Sequence, residues 1–355
     1  MRRIPVEVPA HGAKPYDVII SGGLLDEAGK IVKTMVKPCK ALIFTDNNVV
    51  SLYADIVEKS LANEGFKVFR FIYESGEDRK NLQTVEAALN YLTENEFTRT
   101  DLIVALGGGI SGDLAGFTAS IYLRGIDFIQ IPTTLLAMVD SSVGGKTGCN
   151  LAGGKNLAGA FYQPRCVICD PDVLETLSSE QFACGVAEAV KTGILGSTQL
   201  FDLFRGGLCK NAIPAVIEEC VSIKTRIVQE DEKEAGIRKV LNLGHTVGHA
   251  IEKISSYTIP HGYAVATGMS IIARACAKEG ICPSQTAQDI VTVLKENGLP
   301  VETSFSADEI YSVAVLDKKR KNDVITLVLP QKIGSCLLKE YDVKAVKSFF
   351  EKGLT

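Results

Sequence analysis

What the sequence lacks narrows its chemistry before any motif is considered. No run of about 18 apolar residues occurs in the chain, so no membrane-spanning helix is expected. Met1-Arg2-Arg3 is followed by no apolar core, so no secretion signal is expected. Positive charge is not in excess: 38 Lys and Arg stand against 42 Asp and Glu, a formal net charge of −4. A nucleic-acid partner usually leaves a basic imbalance, so none is expected. Internal repeats and low-complexity segments are absent as well. Cysteine is plentiful, at ten residues. Without a secretion signal these fit thiols in a reducing cytoplasm. Cys166 and Cys169 form a CxxC without a second pair to complete four zinc ligands. They lie in an apolar run, which predicts buried strand cysteines. Histidine is scarce: three of the four fall at 245, 249 and 261.

At 355 residues the chain is long enough for two domains. Short strands are expected over Pro5–Val8 and Tyr16–Ile20, then a helix to about 36. Ala41–Thr45, Lys67–Tyr73 and Leu102–Leu106 have the apolar, β-branched character of buried strands. Helical patterns over Val50–Asn63 and Leu82–Glu94 separate them. This alternation argues for a parallel α/β sheet with ligands at the carboxyl ends of its strands. After about residue 178 long helical patterns take over, at Phe182–Leu195, Ala212–Val228, Thr246–Ile254 and Ala264–Lys278. A domain boundary is placed near 177. Val324–Leu329 and Ser335–Leu338 suggest a small hairpin.

Gly107, Gly109 and Gly112 spell GxGxxG between a strand and a helix. Taken alone, the loop fits either a nucleotide cradle or a tight glycine turn. It follows the third strand of its run, and Asp127 precedes the next strand where a ribose-binding acid should end one. Asp46, closing an earlier strand, is the better candidate. His245 and His249 stand at i, i+4 on one helical face, with Thr246 where HExxH would have glutamate. A lone histidine would suit a core or cap; three in one short span favour a metal. An acid from another helix would supply a further ligand. Glu188 is the acid of an otherwise apolar helix, but its spacing by itself favours an i, i+3 surface pair with Lys191. Arg124, Lys146, Lys155, Lys191, Lys224 and Arg238 adjoin glycines or apolar helix faces and suit a substrate bearing phosphate and carboxylate. Asp317–Lys321 is a charge run of the kind that usually faces solvent.

The runs SGEDRK, GGGISGDLAGF, YLRG, IQIPTTLLAMVDSSVGGKTGCN, GKNLAGAFYQP, GVAEAVK, LNLGHTVGHAIE, HGYAV and LDKK, spread over most of residues 75 to 320, together resemble the 3-dehydroquinate synthases of the sugar-phosphate cyclase family. The resemblance implies an N-terminal Rossmann-like NAD-binding α/β domain (1–177) and a C-terminal, mainly α-helical metal- and substrate-binding domain (178–355). It implies an active site in the cleft and a homodimer, which the cysteine usage above would place in the cytoplasm. It implies NAD and a divalent cation, Zn2+ or Co2+. The reaction implied converts 3-deoxy-D-arabino-heptulosonate 7-phosphate to 3-dehydroquinate and phosphate. Transient oxidation, β-elimination of phosphate, re-reduction and intramolecular aldol closure would follow one another.

Position by position, the resemblance implies metal ligands Glu188, His245 and His261, with His249 as an acid–base group facing the substrate. NAD would meet Asp46, Asn48, Ser75, Gly76, Glu77, Asp78, Arg79, Lys80, Gly109, Ile110, Ser111, Gly112, Asp113, Thr133, Thr134, Lys146, Lys155, Val173, Leu174, Glu175 and Thr176. The sugar phosphate would meet Asp140, Lys146, Asn156, Lys191, Lys224, Arg238, Asn242 and Lys318, and Arg124 would reach a neighbouring subunit's site. Asn242 and His249 look like the dehydroquinate-forming type and not the valiolone type. Leu177-Ser-Ser-Glu180 lacks the proline and arginine common in the family, which puts the local turn in question. Two rival readings remain. A metal-dependent polyol dehydrogenase would release NADH at each turnover, and a non-catalytic nucleotide-binding protein would hold no metal.

Overall fold

The computed structural model describes residues 1–6, 15–316 and 324–354. Two compact units emerge, residues 1–177 with 224–233, and residues 178–223 with 234–355. The first contains β1 (Arg2–Val6), β2 (Tyr16–Ile20), α1 (Leu24–Lys33), β3 (Lys40–Asp46), α2 (Asp55–Asn63), β4 (Lys67–Tyr73), α3 (Leu82–Glu94) and β5 (Leu102–Gly107). It continues with α4 (Gly109–Ile121), β6 (Asp127–Pro132), β7 (Lys146–Leu151), β8 (Gly154–Phe161) and β9 (Cys166–Cys169).

Seven strands form one sheet in the order β1-β2-β9-β6-β5-β3-β4. Every pairing from β2 to β4 is parallel, and β1 alone runs antiparallel, Arg2 opposite Ile20. Strands covered on both faces must be apolar throughout, and β5 is buried along its whole length. Leu42, Phe44, Ile103, Ala105, Leu114, Ala115 and Phe128 form the core on one face. From β3 the chain crosses to β4 on one side; from β5 it crosses to β6 on the other. Such a reversal opens a crevice at the carboxyl ends of the two strands, here at Asp46 and Gly107.

The strand expected over Pro5–Val8 lies earlier, at Arg2–Val6, because its partner Tyr16–Ile20 pairs there; residues 7 and 8 fall outside those described. The expected helix over Val50–Asn63 opens with a π-helical turn, Val50–Ala54. Cys166 and Cys169 are buried in β9. The β7–β8 hairpin was not expected, since its glycines read as loop. A Cβ on Gly148 would sit 2.4 Å from the Ala158 carbonyl oxygen, so the two strands approach where side chains are absent.

The second unit holds α5 (Ser179–Gly196), α6 (Thr198–Asp202), the start of α7 (Ile213–Glu230), α8 (His245–Ile254), α9 (His261–Lys278), α10 (Ser284–Glu296), α11 (Ala307–Leu316), β10 (Val324–Lys332), β11 (Ser335–Asp342) and α12 (Val343–Leu354). From Lys224 onward α7 belongs to the first unit, where Lys224 Nζ donates to the Asp140 carbonyl at 2.7 Å and to its carboxylate. In place of the missing proline and arginine, Ser178 caps α5 by accepting the Gln181 N–H. That cap satisfies one of the orphan N–H groups of a helix start.

Helix α9 packs against α5, α8, α10 and α12. Glycine allows its closest approaches. A Cβ on Gly268 would lie 2.1 Å from the Gly244 carbonyl oxygen, and one on Gly262 would lie 2.3 Å from Cys184 Cα. Both neighbours are backbone, so neither can swing aside. Helix propensity alone would have Gly268→Ala stabilise α9 by about 1 kcal/mol. Overpacking typically costs about 1–3 kcal/mol, and here it meets main chain. We therefore expect Gly268→Ala to lower the melting temperature. A raised midpoint in thermal unfolding would refute the backbone contact.

Candidate metal centre and nucleotide crevice

Three helices of the second unit converge on one point. Glu188 projects from α5, His245 from the first residue of α8 and His261 from the first residue of α9. Glu188 Oε1 lies 3.7 Å from His245 Nε2 and 3.5 Å from His261 Nε2. Ligands about 2.0–2.1 Å from a tetrahedral ion sit roughly 3.4 Å apart, so the spacing fits one cation shared by all three. Glu188 is 1% exposed, and its Oε1 accepts no well-formed hydrogen bond among the described residues. A buried, unsatisfied carboxylate oxygen is costly, and a bound cation would relieve it. Three protein ligands leave a fourth position open, the catalytic type of zinc site.

The pair of Glu188 with Lys191 exists, but both side chains are buried. The surface-pair reading is thereby corrected: α5 is packed on all sides along this stretch. Burial opposes the charge on Glu188, yet Lys191, His245 and His261 hold it well below the usual carboxylate range. Burial, aided by the Lys191 cation, lowers His245 to about 3. Glu188 is thus ionised and His245 neutral at neutral pH, the states a metal requires. His261 behaves oppositely. Burial disfavours its charge, but the neighbouring carboxylates of Glu188 and Glu252 outweigh that and raise it to about 9. His245 Nδ1 lies 3.1 Å from the Leu243 carbonyl oxygen. Donation there fixes the ring and leaves Nε2 as the ligand atom. His249, one turn after His245, has its ring centroid 5.2 Å from that of His245 and 5.9 Å from that of His261.

In the same unit Arg238 is fully buried and Lys191 nearly so. Asn242 Nδ2 donates to Glu234 Oε1 at 2.8 Å. Glu234 and Glu252 were not singled out in the sequence. Glu252 stands three residues after His249 on the face already marked by the histidines, and that spacing was the available signal. Glu234 has no comparable pattern. Lys318 and the Asp317–Lys321 run lie outside the described residues.

In the first unit the nucleotide candidates gather around the crevice. Asp46 Oδ1 accepts the N–H groups of Asn48 and Val49 at 2.9 and 3.1 Å. Its Oδ2 lies 3.5 Å from Ser111 Oγ, which shares a 2.8 Å hydrogen bond with the Tyr73 hydroxyl. Gly107 has φ 154, where a Cβ would strike Ser111 at 2.3 Å. Glycine is therefore required for the chain to pass from β5 into α4. The N–H groups of Gly109, Ile110 and Ser111 open α4, the kind of helix start that suits a phosphate. Thr133 donates its N–H to the Gly107 carbonyl, and Thr134 Oγ1 accepts from Ala137. Asn48 Nδ2 reaches Ser75 Oγ at 2.9 Å. Tyr53 binds the turn Val173–Thr176 through the Val173 carbonyl.

The turn from Ser75 to Lys80 grips the β7–β8 hairpin. Lys80 Nζ donates to Asp113 Oδ2 and Asn156 Oδ1, both at 2.6 Å, and Asn150 Nδ2 donates to Glu77 Oε1 at 2.7 Å. Lys155 Nζ lies 3.9 Å from Glu77. Asn156 holds a left-handed backbone, φ 55, a conformation asparagine tolerates better than most. Asp140 sits in a π-helical turn, Ala137–Ser141, beside Lys224. Lys146 begins β7 and is exposed. Arg124 stands apart. It follows the carboxyl end of α4, about 20 Å of helix from the glycines at its start, on a left-handed turn with φ 69.

Residues 70–184 match the family profile described as 3-dehydroquinate synthase N-terminal, and residues 185–320 the one described as 3-dehydroquinate synthase C-terminal. A 3-dehydroquinate synthase of Streptococcus pneumoniae (strain 70585) is 41% identical over 357 residues, 99% of this chain and 100% of the relative. Among solved structures, 2-epi-5-epi-valiolone synthase from Streptomyces hygroscopicus, with NAD+ and Zn2+ bound, has a TM-score of 0.87 at 24% identity, over 98% of each chain. A 2-deoxy-scyllo-inosose synthase complexed with carbaglucose-6-phosphate, NAD+ and Co2+ has a TM-score of 0.85 at 24% identity, over 99% of this chain and 100% of that one. An iron-containing alcohol dehydrogenase shares the fold more distantly, with a TM-score of 0.66 at 17% identity over 97% of this chain and 98% of that one.

Replacing Glu188 by glutamine keeps its shape and removes the charge that balances a divalent ion. Glu188→Gln is expected to lose most bound zinc in metal analysis of the purified protein, with partial recovery in excess zinc. His249→Ala should keep its zinc. Full metal content in the first variant, or loss in the second, would reassign the ligands.

Proposed function

The chain belongs to the 3-dehydroquinate synthase family, which converts 3-deoxy-D-arabino-heptulosonate 7-phosphate to 3-dehydroquinate and phosphate, and from that premise we propose which of its residues carry the reaction. The convergence of buried Glu188 with the half-buried His245 and His261 supports the assignment most strongly. Solved cyclases of the same fold hold NAD+ with Zn2+ or Co2+, and we assign both groups here. When bound, NAD supplies a reversible hydride acceptor, and the cation a Lewis acid for the hydroxyl being oxidised.

Residues 1–177 form the NAD-binding domain in this reading, and residues 178–355 the metal- and substrate-binding domain. Asp46, held by two N–H donors, accepts hydrogen bonds from ribose hydroxyls, as the acid at a strand end does in dinucleotide folds. The start of α4, from Gly109 to Asp113, faces the pyrophosphate. Asn48, the turn from Ser75 to Lys80, Thr133, Thr134, Lys155 and the turn from Val173 to Thr176 line the remainder. Lys80 holds Asn156 in place for the substrate while balancing Asp113.

Lys146, Lys224, Lys191 and Arg238 serve the phosphate and carboxylate of the substrate, groups that favour charge-assisted donors. Lys318 belongs with them by its motif. Asp140, Asn156 and Asn242 orient its hydroxyls. His249 moves a proton at a substrate oxygen. The substrate's own phosphate takes the proton whose loss expels it. Holding both ends of the opened sugar makes the final aldol closure effectively unimolecular.

A cytoplasmic homodimer completes the proposal. All ten cysteines are free thiols, which suits a reducing compartment. Leu157 and Phe161 are 59% and 44% exposed on β8, an apolar surface that suits a second copy. Arg124, remote from its own crevice, would serve that copy's site.

Two measurements test these roles. A hydride removed early and returned later makes NAD a catalyst. Substoichiometric NAD should therefore support complete conversion, with one phosphate released per substrate and reduced nicotinamide never exceeding bound cofactor. NADH accumulating with substrate loss would instead mark a polyol dehydrogenase. Lys146→Ala should lower kcat/KM by about 30-fold or more, the usual cost of breaking a charge-assisted contact in a closed site. Its melting temperature should scarcely change, and a large drop with unchanged kinetics would make Lys146 structural.

A further inference from the structure

Glu252 lies on α8, three residues after His249, and is 3% exposed. Its Oε2 is 3.0 Å from His261 Nδ1. The other nitrogen of that ring, Nε2, is the atom 3.5 Å from Glu188 Oε1. We propose that Glu252 is a positioning residue for the metal centre, taking the Nδ1 hydrogen of His261 and thereby turning Nε2 towards Glu188 and His245. The inference rests on the metal reading above and concerns what holds one of its ligands.

A neutral imidazole carries one N–H, so a hydrogen bond from Nδ1 leaves Nε2 with its lone pair free for a cation. A carboxylate acceptor also makes the ring a stronger base than a neutral acceptor does. The two ligand histidines differ in this respect, since behind the His245 ring lies the Leu243 carbonyl and not a carboxylate, among the described residues. The position of Glu252 suits the task. It sits in the last turn of α8, where its own carbonyl accepts the Tyr257 N–H at 2.7 Å. The chain between Tyr257 and His261 then leads directly into α9. The residue that orients His261 thus also anchors the loop that delivers it. Glu252 is close enough to His249 and His261 to be a ligand itself, since the ligand atoms of those three lie within 4.8 Å. The hydrogen bond to Nδ1 argues for support instead.

The test uses the full chain with Glu252→Ala, Glu252→Gln and Glu188→Gln. Zinc affinity would be read by competition with a chromophoric chelator, the ligand field by the visible absorption of bound Co2+, and stability by unfolding of the metal-free proteins. Glu252→Ala should bind zinc about 10–100-fold more weakly, the usual loss for such a partner, with an altered cobalt band. Glu252→Gln keeps an acceptor for Nδ1–H and should fall between it and the unaltered protein; it carries the test if the alanine variant does not fold. Unaltered affinity and cobalt band with only a lower unfolding midpoint would show a structural role and overturn the inference. Metal loss from Glu252→Gln as complete as from Glu188→Gln would make Glu252 a ligand, also overturning it. If the unaltered protein binds neither ion, the metal reading fails and takes this inference with it.

Discussion

Backbone contact between helices is the constraint on which the candidate metal centre depends. Helices carrying ordinary side chains pack with axes 8–10 Å apart. Glu188, His245 and His261 come from three different helices, and their ligand atoms lie within 4.8 Å of one another. Glycine makes that possible. Gly268 meets the Gly244 carbonyl, and Gly248 faces the backbone of Ala264 and Val265, closing α8 on α9. Gly262 meets the backbone of Cys184 and closes α9 on α5. That approach lies one residue from His261, so the start of α9 has little room to shift. His245 and His261 occupy the first residues of their helices.

The same unit manages charge with equal economy. Glu188 is buried and ionised, a state that would be prohibitive alone. Lys191 stands beside one oxygen and the two histidines beside the other. Glu252 supports His261 from behind. The result is a compact network in which each buried charge has an opposite neighbour, and removing any member leaves another exposed to the full desolvation cost. Such networks perturb the protonation of their members strongly, which is common where chemistry is done.

The first unit solves a different problem with the same residue. Its crevice arises from topology, since the connections from β3 and β5 leave in opposite directions. Gly107 then lets the chain turn sharply enough to start α4 beside Asp46. The hairpin of β7 and β8 adds Asn156 to the rim and is held there by Lys80 and Glu77. A strained backbone at Asn156 persists because its side chain and N–H are both engaged, as strain at functional sites generally requires.

Much was legible before the fold was known. Buried strands declared themselves by unbroken apolar runs, and helices by their period. The scarcity and clustering of histidine pointed to a metal, and the set of motifs to a family. The hairpin was not legible, because glycine-rich strands lack the apolar alternation that marks sheet. The buried state of the Glu188–Lys191 pair was not legible either: i, i+3 spacing on a helix is the same on a surface as in a core. Nor was the return of Lys224 to the first unit, or the task of Glu252, which depends on a residue in the next helix. Local periodicity and side-chain type fix which chemical groups are present, in what order, and which faces must be buried. Which groups meet became visible in the folded chain alone, because meeting turns on ångström-scale approaches of main chain to main chain that no local pattern encodes.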